Sequence, residues 1–308
     1  MKIFDIPLTL FAPKHWGTWL GISLIRLFTL LPYSWMMTLS KFFGTLLFPL
    51  AKKRKHIIET NIKLCFPEKN TEEKKELARK AFISTFMALF EISLSWWGSK
   101  DKIKKLHKVE GMDNLTNALK KGKGVILVSS HFTTMEIAGT FLCSRVNNLV
   151  LTYKRSTNPV LEHFIRQQRL KKSAGLIKHK SLREILRSIR EGNVVWFAPD
   201  QDFGTKDSIF APFMGIMTST LLSTQRIAKI TGAPVVPFYG ARLENNSGYV
   251  IRLSPALENF PSDNDLEDAT KINQAIEHQV KQTPEQYLWA HRRFKTRPEG
   301  EKDVYAKE

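Results

Sequence analysis

A histidine and a glutamate follow the apolar segment 125–130 in an arrangement that can perform acid–base chemistry. His131 ends this predicted β-strand, and Glu136 lies five positions later, where a helix begins. A histidine at the carboxyl end of a strand lies where open α/β sheets bind their ligands. Glu136, in the first helical turn, can accept a hydrogen bond from one ring nitrogen and leave the other as a general base toward an alcohol. A lone histidine is more often structural, so the prediction depends on this position rather than on the H-x4-E spacing alone.

Two aspartates follow another buried strand pattern. Asp200 and Asp202 come directly after the segment 193–198 and Pro199, and should therefore face the same crevice as His131. They can shape that crevice, orient a cationic side chain, contact substrate hydroxyls or bind a metal ion. The D-x-D pattern is also the metal–nucleotide signature of many glycosyltransferases, and a solvated turn is the structural alternative.

Cationic side chains occur in two further places. Arg166, Arg169 and Lys172 share one face of a helix that begins near Pro159, and such a face either holds phosphate or is simply solvated. Near the C-terminus, the segment 287–300 interleaves aromatic residues with basic ones, among them Arg292 and Arg293. This pattern is compatible with nucleic acid, a lipid headgroup layer or a phosphorylated sugar. No nucleic-acid-binding motif accompanies it, so we expect no nucleic-acid partner.

The elements around these residues predict an α/β fold with a mixed, mostly parallel sheet flanked by helices. Strand patterns occur at 125–130, 149–153, 193–198, 235–239 and 249–253, and helix patterns at 71–97, 133–145, 159–172, 181–191, 218–230 and 266–281. Alternation of strands with helices is typical of such sheets. The segment 61–67 is predicted as a loop that closes the N-terminal region. We divide the chain into an N-terminal region, 1–56, and a catalytic domain, 57–308.

The composition indicates an anionic partner. The chain of 308 residues has 47 Lys and Arg against 29 Asp and Glu, a formal net charge of +18. A charge of this size favours nucleic acid, a membrane surface, a phosphorylated lipid or an acidic protein. Cys65 and Cys143 are too few for a disulfide framework. The chain has no dinucleotide-binding, Walker or zinc-protease motif, so neither a cofactor nor a metal is predicted.

The N-terminal region predicts a membrane anchor. Residues 16–31 and 33–51 are almost entirely apolar, and a basic cluster follows at 52–55. Neither run is a clean charge-free span of about 20 residues, so an embedded or tilted anchor fits better than a simple one, with a buried helical hairpin as the alternative. Aromatic residues near the ends of the runs, such as Trp16 and Trp35, favour the membrane, with the basic cluster at the cytoplasmic headgroups.

These segments together resemble the late acyltransferases of lipid A biosynthesis in Gram-negative bacteria. The resemblance covers nearly the whole chain, through segments 15–21, 61–68, 131–136, 198–204 and 234–238. Its most specific part is 286–300, an ending that is closer to the lauroyltransferase that adds the first late acyl chain than to the enzyme for the second. Gln201 and Phe203 stand where relatives commonly have His and Tyr. The E-G-x-R block of glycerol-phosphate acyltransferases is missing, which argues against that acceptor.

The resemblance implies a glycerolipid acyltransferase-like fold and a specific reaction. A fatty acyl chain, lauroyl for the first late step and myristoyl as the alternative, would pass from acyl carrier protein to a 3-hydroxyacyl hydroxyl of a Kdo-bearing lipid A precursor. The enzyme would be anchored at the inner membrane with its site on the cytoplasmic side. His131 and Glu136 would be the catalytic H-x4-E pair. Arg169 by family position would stabilise the oxyanion, with backbone N–H groups as the alternative donors. The alternatives from other classes are a metal-dependent glycosyltransferase that uses Asp200 and Asp202, and a non-catalytic basic binder of membranes or nucleic acid.

Overall fold

The structure, a computed structural model, describes residues 6–306, which form eleven α-helices and nine β-strands. The helices are α1 Trp16–Leu27, α2 Tyr33–Leu47, α3 Lys52–Cys65, α4 Thr71–Trp97, α5 Lys100–Lys105, α6 Met112–Leu119, α7 Met135–Cys143, α8 Pro159–Leu170, α9 Leu182–Arg190, α10 Ser223–Thr231 and α11 Asp265–Gln282. The strands are β1 His107–Glu110, β2 Val125–Val128, β3 Leu149–Tyr153, β4 Gly175–Lys178, β5 Val194–Phe197, β6 Ser208–Phe213, β7 Ile216–Leu221, β8 Val235–Arg242 and β9 Tyr249–Leu253. Helices and strands alternate from β2 to β5, as the sequence predicts.

Seven of the strands form one sheet in the order β1-β9-β8-β2-β5-β3-β4. All neighbours in it are parallel except β8 and β9, so the prediction of a mostly parallel α/β sheet is confirmed. Strands β2 and β5 are apolar along their whole length and fully buried, because a central parallel strand is covered on both faces. Val128 pairs with Phe197, so β2 and β5 end side by side at one edge of the sheet.

Alternate residues of β2 belong to cores on opposite faces of the sheet. Ile126 and Val128 lie in one hydrophobic core, and Val125 and Leu127 in the other, because successive side chains of a strand point to opposite faces. Helix α4 contributes to both cores, its first half to one and its second half to the other. It begins with a capping box in which Asn70 and Glu73 satisfy each other's backbone N–H groups.

The N-terminal apolar region is divided into short helices. Pro32 lies between α1 and α2, which have 12 and 15 residues and both pack on α4. Met36 and Met37 of α2 are completely buried in the core shared with the sheet. In the part of the chain that the structure describes, no helix is long and apolar enough to cross a membrane, so the embedded or tilted membrane anchor predicted for this region is not supported.

Several local predictions differ from the structure. The segment predicted as a helix from 218 begins instead as strand β7, whose β-branched threonines pair with β6 in a hairpin that the sequence analysis missed. Helix α10 starts only at Ser223. Most of the segment 61–67, predicted as a loop, is the end of α3, which places residue 56 inside that helix. Asn61 is buried there and donates to the carbonyl oxygens of Trp289 and His291 at 2.7 and 2.8 Å, which ties α3 to the C-terminal segment.

Candidate active site

The loop that carries His131 is held by the C-terminal segment. The backbone N–H of Leu288 donates to the His131 carbonyl at 2.9 Å, and that of Thr133 donates to the Gln286 carbonyl at 2.8 Å. These bonds flank a short antiparallel bridge between Phe132 and Tyr287, so the C-terminal segment holds the loop in place. Trp289 nearby is only 1% exposed. The buried aromatic residues of the C-terminal segment therefore help to hold the loop that carries His131.

Asp200 is the hydrogen-bond partner of His131. Its Oδ1 lies 2.6 Å from His131 Nδ1, and its Oδ2 accepts the backbone N–H of His131 at 2.8 Å. Asp200 is 2% exposed, and both of its oxygens bind the same residue. This arrangement fixes the ring so that Nδ1 carries a proton toward the carboxylate and Nε2 is the nitrogen that can accept one. The expected contact between His131 and Glu136 is therefore wrong: Asp200 occupies the orienting position.

The charges of this pair support each other. Burial lowers the pKa of His131, but the attraction of the Asp200 carboxylate outweighs burial and leaves that pKa above its usual value. Burial likewise raises the pKa of Asp200, while the positive charges of His131 and Arg293 bring it below its usual value. Asp200 is thus an ionised carboxylate at neutral pH, and it stabilises the imidazolium that forms when His131 takes up a proton.

Glu136 forms a second, separate charge pair with Arg169. Its Oε2 accepts from Arg169 Nη2 at 2.6 Å and from Nε at 3.2 Å, and its Oε1 accepts from Trp96 Nε1 at 3.2 Å. Burial raises the pKa of Glu136, but Arg169 outweighs it and the net pKa is lowered. Arg169 lies near the end of α8, whose start is set by Pro159 and by the Asn158 side chain as N-cap. Because both N–H groups donate to the same carboxylate, the plane of the guanidinium is fixed.

The other two cations predicted on this helix face, Lys172 and Arg166, have different surroundings. Lys172 lies just beyond α8, and its Nζ donates to Thr140 Oγ1 at 3.3 Å. Burial lowers the pKa of Lys172 to about 8, although the neighbouring Glu136 carboxylate opposes the shift. Arg166 is exposed on α8. The structure thus brings Arg169 and Lys172 to the site and leaves Arg166 at the surface.

Asp202 and the two C-terminal arginines have structural partners. Asp202 accepts the backbone N–H of Thr296 at 2.6 Å and its hydroxyl at 2.8 Å. Arg293 is 2% exposed and donates to the Ser219 carbonyl at 2.7 Å, while the Arg292 guanidinium lies over the ring of Tyr305. The Asp202 contacts fasten the C-terminal segment to the loop after β5, and Arg293 fastens it to β7. Neither arginine lines the cavity beside His131.

That cavity has a volume of about 270 Å³ and two different walls. The polar wall comes from the site residues and from helices α4, α7 and α8: His131, Glu136, Arg169, Lys172, Ser95 and Thr140. The apolar wall comes from α7, β3 and β5: Met135, Gly139, Cys143, Leu151 and Trp196. The cavity can therefore hold a ligand that has both a reacting polar group and an apolar chain.

Some residues of the site escape sequence reasoning. Trp96 and Ser95 lie at the end of α4, far along the chain from α7, yet they contact Glu136 and Thr140. Trp196 lies in the middle of a buried strand, where an aromatic residue suggests only core packing. No local pattern marks these residues, because their contacts arise only from packing between distant elements.

The two aspartates do not form a metal site with their neighbours. Asp200 is committed to His131 and Asp202 to Thr296 and Gly204. Between residues 6 and 306, no group of three or more His, Cys, Asp and Glu side chains is arranged to hold a metal ion. The observation that favoured a metal-dependent glycosyltransferase is thereby removed.

Comparison with known proteins identifies the family. A family model described as bacterial lipid A biosynthesis acyltransferase matches residues 3–296. Among curated proteins of Escherichia coli (strain K12), the lipid A biosynthesis palmitoleoyltransferase is 35% identical over 294 residues, 95% of each chain. The lauroyltransferase is 32% identical over 292 residues, 94% of this chain and 95% of that protein. The myristoyltransferase is 24% identical over 294 residues, 95% of this chain and 91% of that protein.

The chain belongs to the bacterial lipid A biosynthesis acyltransferase family, as its sequence motifs suggest. It is therefore an acyltransferase, and its acceptor belongs to the precursors of lipid A. The glycosyltransferase alternative is not favoured.

Proposed function

We propose that this enzyme transfers a fatty acyl chain from acyl carrier protein to a 3-hydroxyacyl hydroxyl of a Kdo-bearing lipid A precursor. The observation that carries the proposal is the His131–Asp200 pair beside a cavity with one polar and one apolar wall. A base that faces such a cavity can activate a hydroxyl next to an acyl chain. Family membership supplies the reaction class.

The reaction begins with removal of a proton. His131 Nε2 takes the proton of the acceptor hydroxyl, whose oxygen attacks the thioester carbonyl while Asp200 holds Nδ1–H. When the tetrahedral intermediate collapses, the carbon–sulfur bond breaks and the imidazolium returns the proton to the leaving thiolate. The ester and the free carrier thiol are the products, and His131 regains its initial protonation state.

Arg169 stabilises the oxyanion in this proposal. Glu136 engages its Nε and Nη2, so the rigid guanidinium presents its other N–H groups beside the cavity. A donor that is held in place before the reaction needs no reorganisation when negative charge develops on the carbonyl oxygen. Glu136 therefore acts through Arg169, rather than through His131 as the motif suggests.

A group of exposed cations supports an acidic carrier protein as the donor. Lys154 and His179 line the cavity. Burial lowers the pKa of His179, and the nearby positive charges of Lys180 and Lys154 lower it further. Because Tyr153 pairs with Lys178 in adjacent parallel strands, Lys154 and Lys180 lie at the same sheet edge as the cavity. We call Lys154, Lys178 and Lys180 the basic rim, and we propose that an acidic surface of the carrier binds there.

The N-terminal helices support contact with the inner membrane from its cytoplasmic side. Apolar side chains at helical spacing cover the outer face of α1, where Trp16 is 64% and Leu20 is 62% exposed, and Trp35 on α2 is 71% exposed. Both helices pack on α4 with their other faces, and the exposed cations 52–54 follow directly. Apolar faces flanked by cations are typical of helices that lie in the membrane interface. We propose interfacial contact of this kind.

The relatives bear on which acyl chain is added. Identity is 35% and 32% to proteins named palmitoleoyltransferase and lauroyltransferase, and 24% to the one named myristoyltransferase. This order favours a palmitoleoyl or lauroyl chain over a myristoyl chain. We retain lauroyl as the proposed chain.

The decisive experiment compares wild type with His131→Ala in acyl transfer from lauroyl carrier protein to a Kdo-bearing lipid A precursor. A general base contributes roughly 10²–10⁴ to the rate, so the variant should lose at least a hundredfold. Thr140→Ala, which also changes a hydroxyl of the cavity wall, is the matched comparison and should retain more activity than His131→Ala. Near-normal transfer by His131→Ala would refute the proposed role of the base.

A further inference from the structure

Gly139 of helix α7 lies unusually close to the indole of Trp196. A Cβ built at Gly139 would lie 2.7 Å from Trp196 Cζ3, closer than such atoms can approach without a shift, and 3.2 Å from Cη2, a tight contact. Both residues line the apolar wall of the cavity. The missing side chain therefore allows the helix to rest directly on the ring.

The contact lies about one turn of helix α7 beyond Glu136. Helix α7 starts beside the site and runs nine residues from Met135 to Cys143, a length of about 13.5 Å. Glu136 lies in its first turn, and Gly139 and Cys143 follow along the cavity wall at successive turns. Leu151 and Trp196, which pair across β3 and β5, face this stretch. An acyl chain whose carbonyl lies near His131 would pass Gly139 before reaching Cys143.

The indole is held by packing alone. Trp196 Nε1 is buried and has no hydrogen-bond partner among the described residues. Its ring packs edge-to-face on Phe238 at 4.9 Å between centroids. Replacement by phenylalanine would therefore break no hydrogen bond and would remove ring atoms on the side that faces Gly139.

We propose that Gly139 and Trp196 together determine the length of acyl chain that the enzyme accepts. The inference rests on the proposed function, since it assigns the apolar wall to the acyl chain. Because Gly139 has no side chain, it leaves space along the apolar wall for an acyl chain. The Trp196 ring limits how far such a chain extends along that wall. Closely related enzymes of the family carry names that differ in acyl chain, so a replaceable element of this kind suits the family.

The test measures kcat/KM with acyl carrier protein donors of about 10, 12, 14 and 16 carbons and one lipid A precursor. One methylene in an apolar pocket changes kcat/KM by roughly 10- to 200-fold. Gly139→Ala should therefore lower kcat/KM for the longest accepted donor at least about tenfold relative to the shortest. Trp196→Phe should shift the preference in the opposite direction, toward longer chains. In the double variant, the shortened ring makes room for the added methyl, and the profile should return toward wild type.

The control is Gly175→Ala in β4. Its added Cβ would lie 3.6 Å from Val150, an ordinary contact, and Gly175 does not line the cavity. It should leave the chain-length profile unchanged. Equal loss with all donors in Gly139→Ala, or no shift toward longer chains in Trp196→Phe, would overturn the inference while the acyltransferase function stood. If wild type transferred none of the donors, the proposed function itself would fail.

Discussion

Replacing Asp200 by asparagine should distinguish the role of the His131–Asp200 pair from that of the Glu136–Arg169 pair. The new amide would keep an oxygen for the His131 backbone N–H, but the negative charge beside Nδ1 would be lost. The imidazolium that forms during catalysis would then lose a charged hydrogen-bond partner. Glu136→Gln is the companion variant, because it neutralises a carboxylate in the same cavity that contacts Arg169 and Trp96 rather than the histidine.

The expected loss of rate follows from the contact. A hydrogen bond to a charged group is worth roughly 1.5–3 kcal/mol, which corresponds to about a 10- to 150-fold slower reaction. Asparagine can also present its amide N–H to Nδ1, which would favour the tautomer with its proton on the wrong nitrogen. Asp200→Asn should therefore lose roughly 10²–10⁴ in kcat, the range of a general base. Adding His131→Ala to it should cost little more, because the two residues act as one unit.

The pH profile distinguishes positioning from general damage. The base must be neutral, so kcat/KM rises as pH increases through the pKa of His131 in the free enzyme. The Asp200 carboxylate holds that pKa above its usual value, and burial alone would lower it. The acidic limb of Asp200→Asn should therefore move to lower pH, while its plateau falls. In Glu136→Gln the plateau should fall and the limb should stay in place.

The assay is acyl transfer from lauroyl carrier protein, with kcat/KM for the lipid precursor measured from about pH 5 to pH 8, the range in which a histidine titrates. An acidic limb that moves in Glu136→Gln and not in Asp200→Asn would refute the reasoning. That result would restore the assignment of Glu136 as the residue that orients His131. Thermal unfolding of both variants serves as the control for folding.

Three further predictions concern stability, donor and membrane. Arg242→Met should lower the free energy of unfolding by about 3–5 kcal/mol in urea titrations, because Glu91 is 1% exposed and would lose its charged partner. The double variant Glu91→Gln with Arg242→Met should recover part of that loss. An unchanged free energy of unfolding in Arg242→Met would contradict the prediction. Lys154→Glu with Lys180→Glu should raise KM for acyl carrier protein roughly tenfold at low salt but leave transfer from acyl-pantetheine unchanged. The control, Lys120→Glu with Lys121→Glu, changes cations just before β2, at the opposite sheet edge, and equal effects would exclude the basic rim. Replacing Trp16, Leu20 and Trp35 by serine should weaken binding to anionic vesicles at least tenfold, since each buried apolar side chain is worth roughly 1.5–3 kcal/mol. Serine at Leu182, Ile230 and Leu266, which are also exposed, should not; the same loss in both sets would rule out a specific face.

The fold was predictable where the sequence pattern is local. Strands at 149–153 and 249–253 and helix α4 match their predicted spans, because continuous apolar runs and capping residues mark them. The hairpin of β6 and β7 was missed because its residues form no regular apolar pattern. The two strands pair with each other, and they pack on α11. The N-terminal anchor was overestimated for a related reason. Met36 and Met37 are apolar because they pack in the core of the protein, and hydropathy does not distinguish that burial from burial in lipid.

The positions of His131, Glu136, Arg169, Asp200 and Lys172 around one site were predictable, but their pairing was not. Arg166 belongs to the same helix face in the sequence and is exposed in the structure. Residues on a helix face share a direction, yet only those near its C-terminal end reach the cavity beside α7. Which residues reach the cavity depends on how α8 packs, and the spacing of the cations along the sequence does not predict that packing.

The pairing itself follows from strand register. Val128 pairs with Phe197 at the ends of β2 and β5. His131 is the third residue after Val128, and Asp200 is the third residue after Phe197. Two parallel neighbouring strands that end in register bring residues at equal offsets together, so His131 meets an acid from the adjacent strand. Glu136 is nearer in sequence, but it already lies within α7 and faces α8, where Arg169 meets it. The H-x4-E spacing in this chain thus marks one residue from each of two charge pairs. In the mechanism proposed above, the His131–Asp200 pair supplies the base and the Glu136–Arg169 pair holds the donor for the oxyanion, so loss of either pair should slow the reaction.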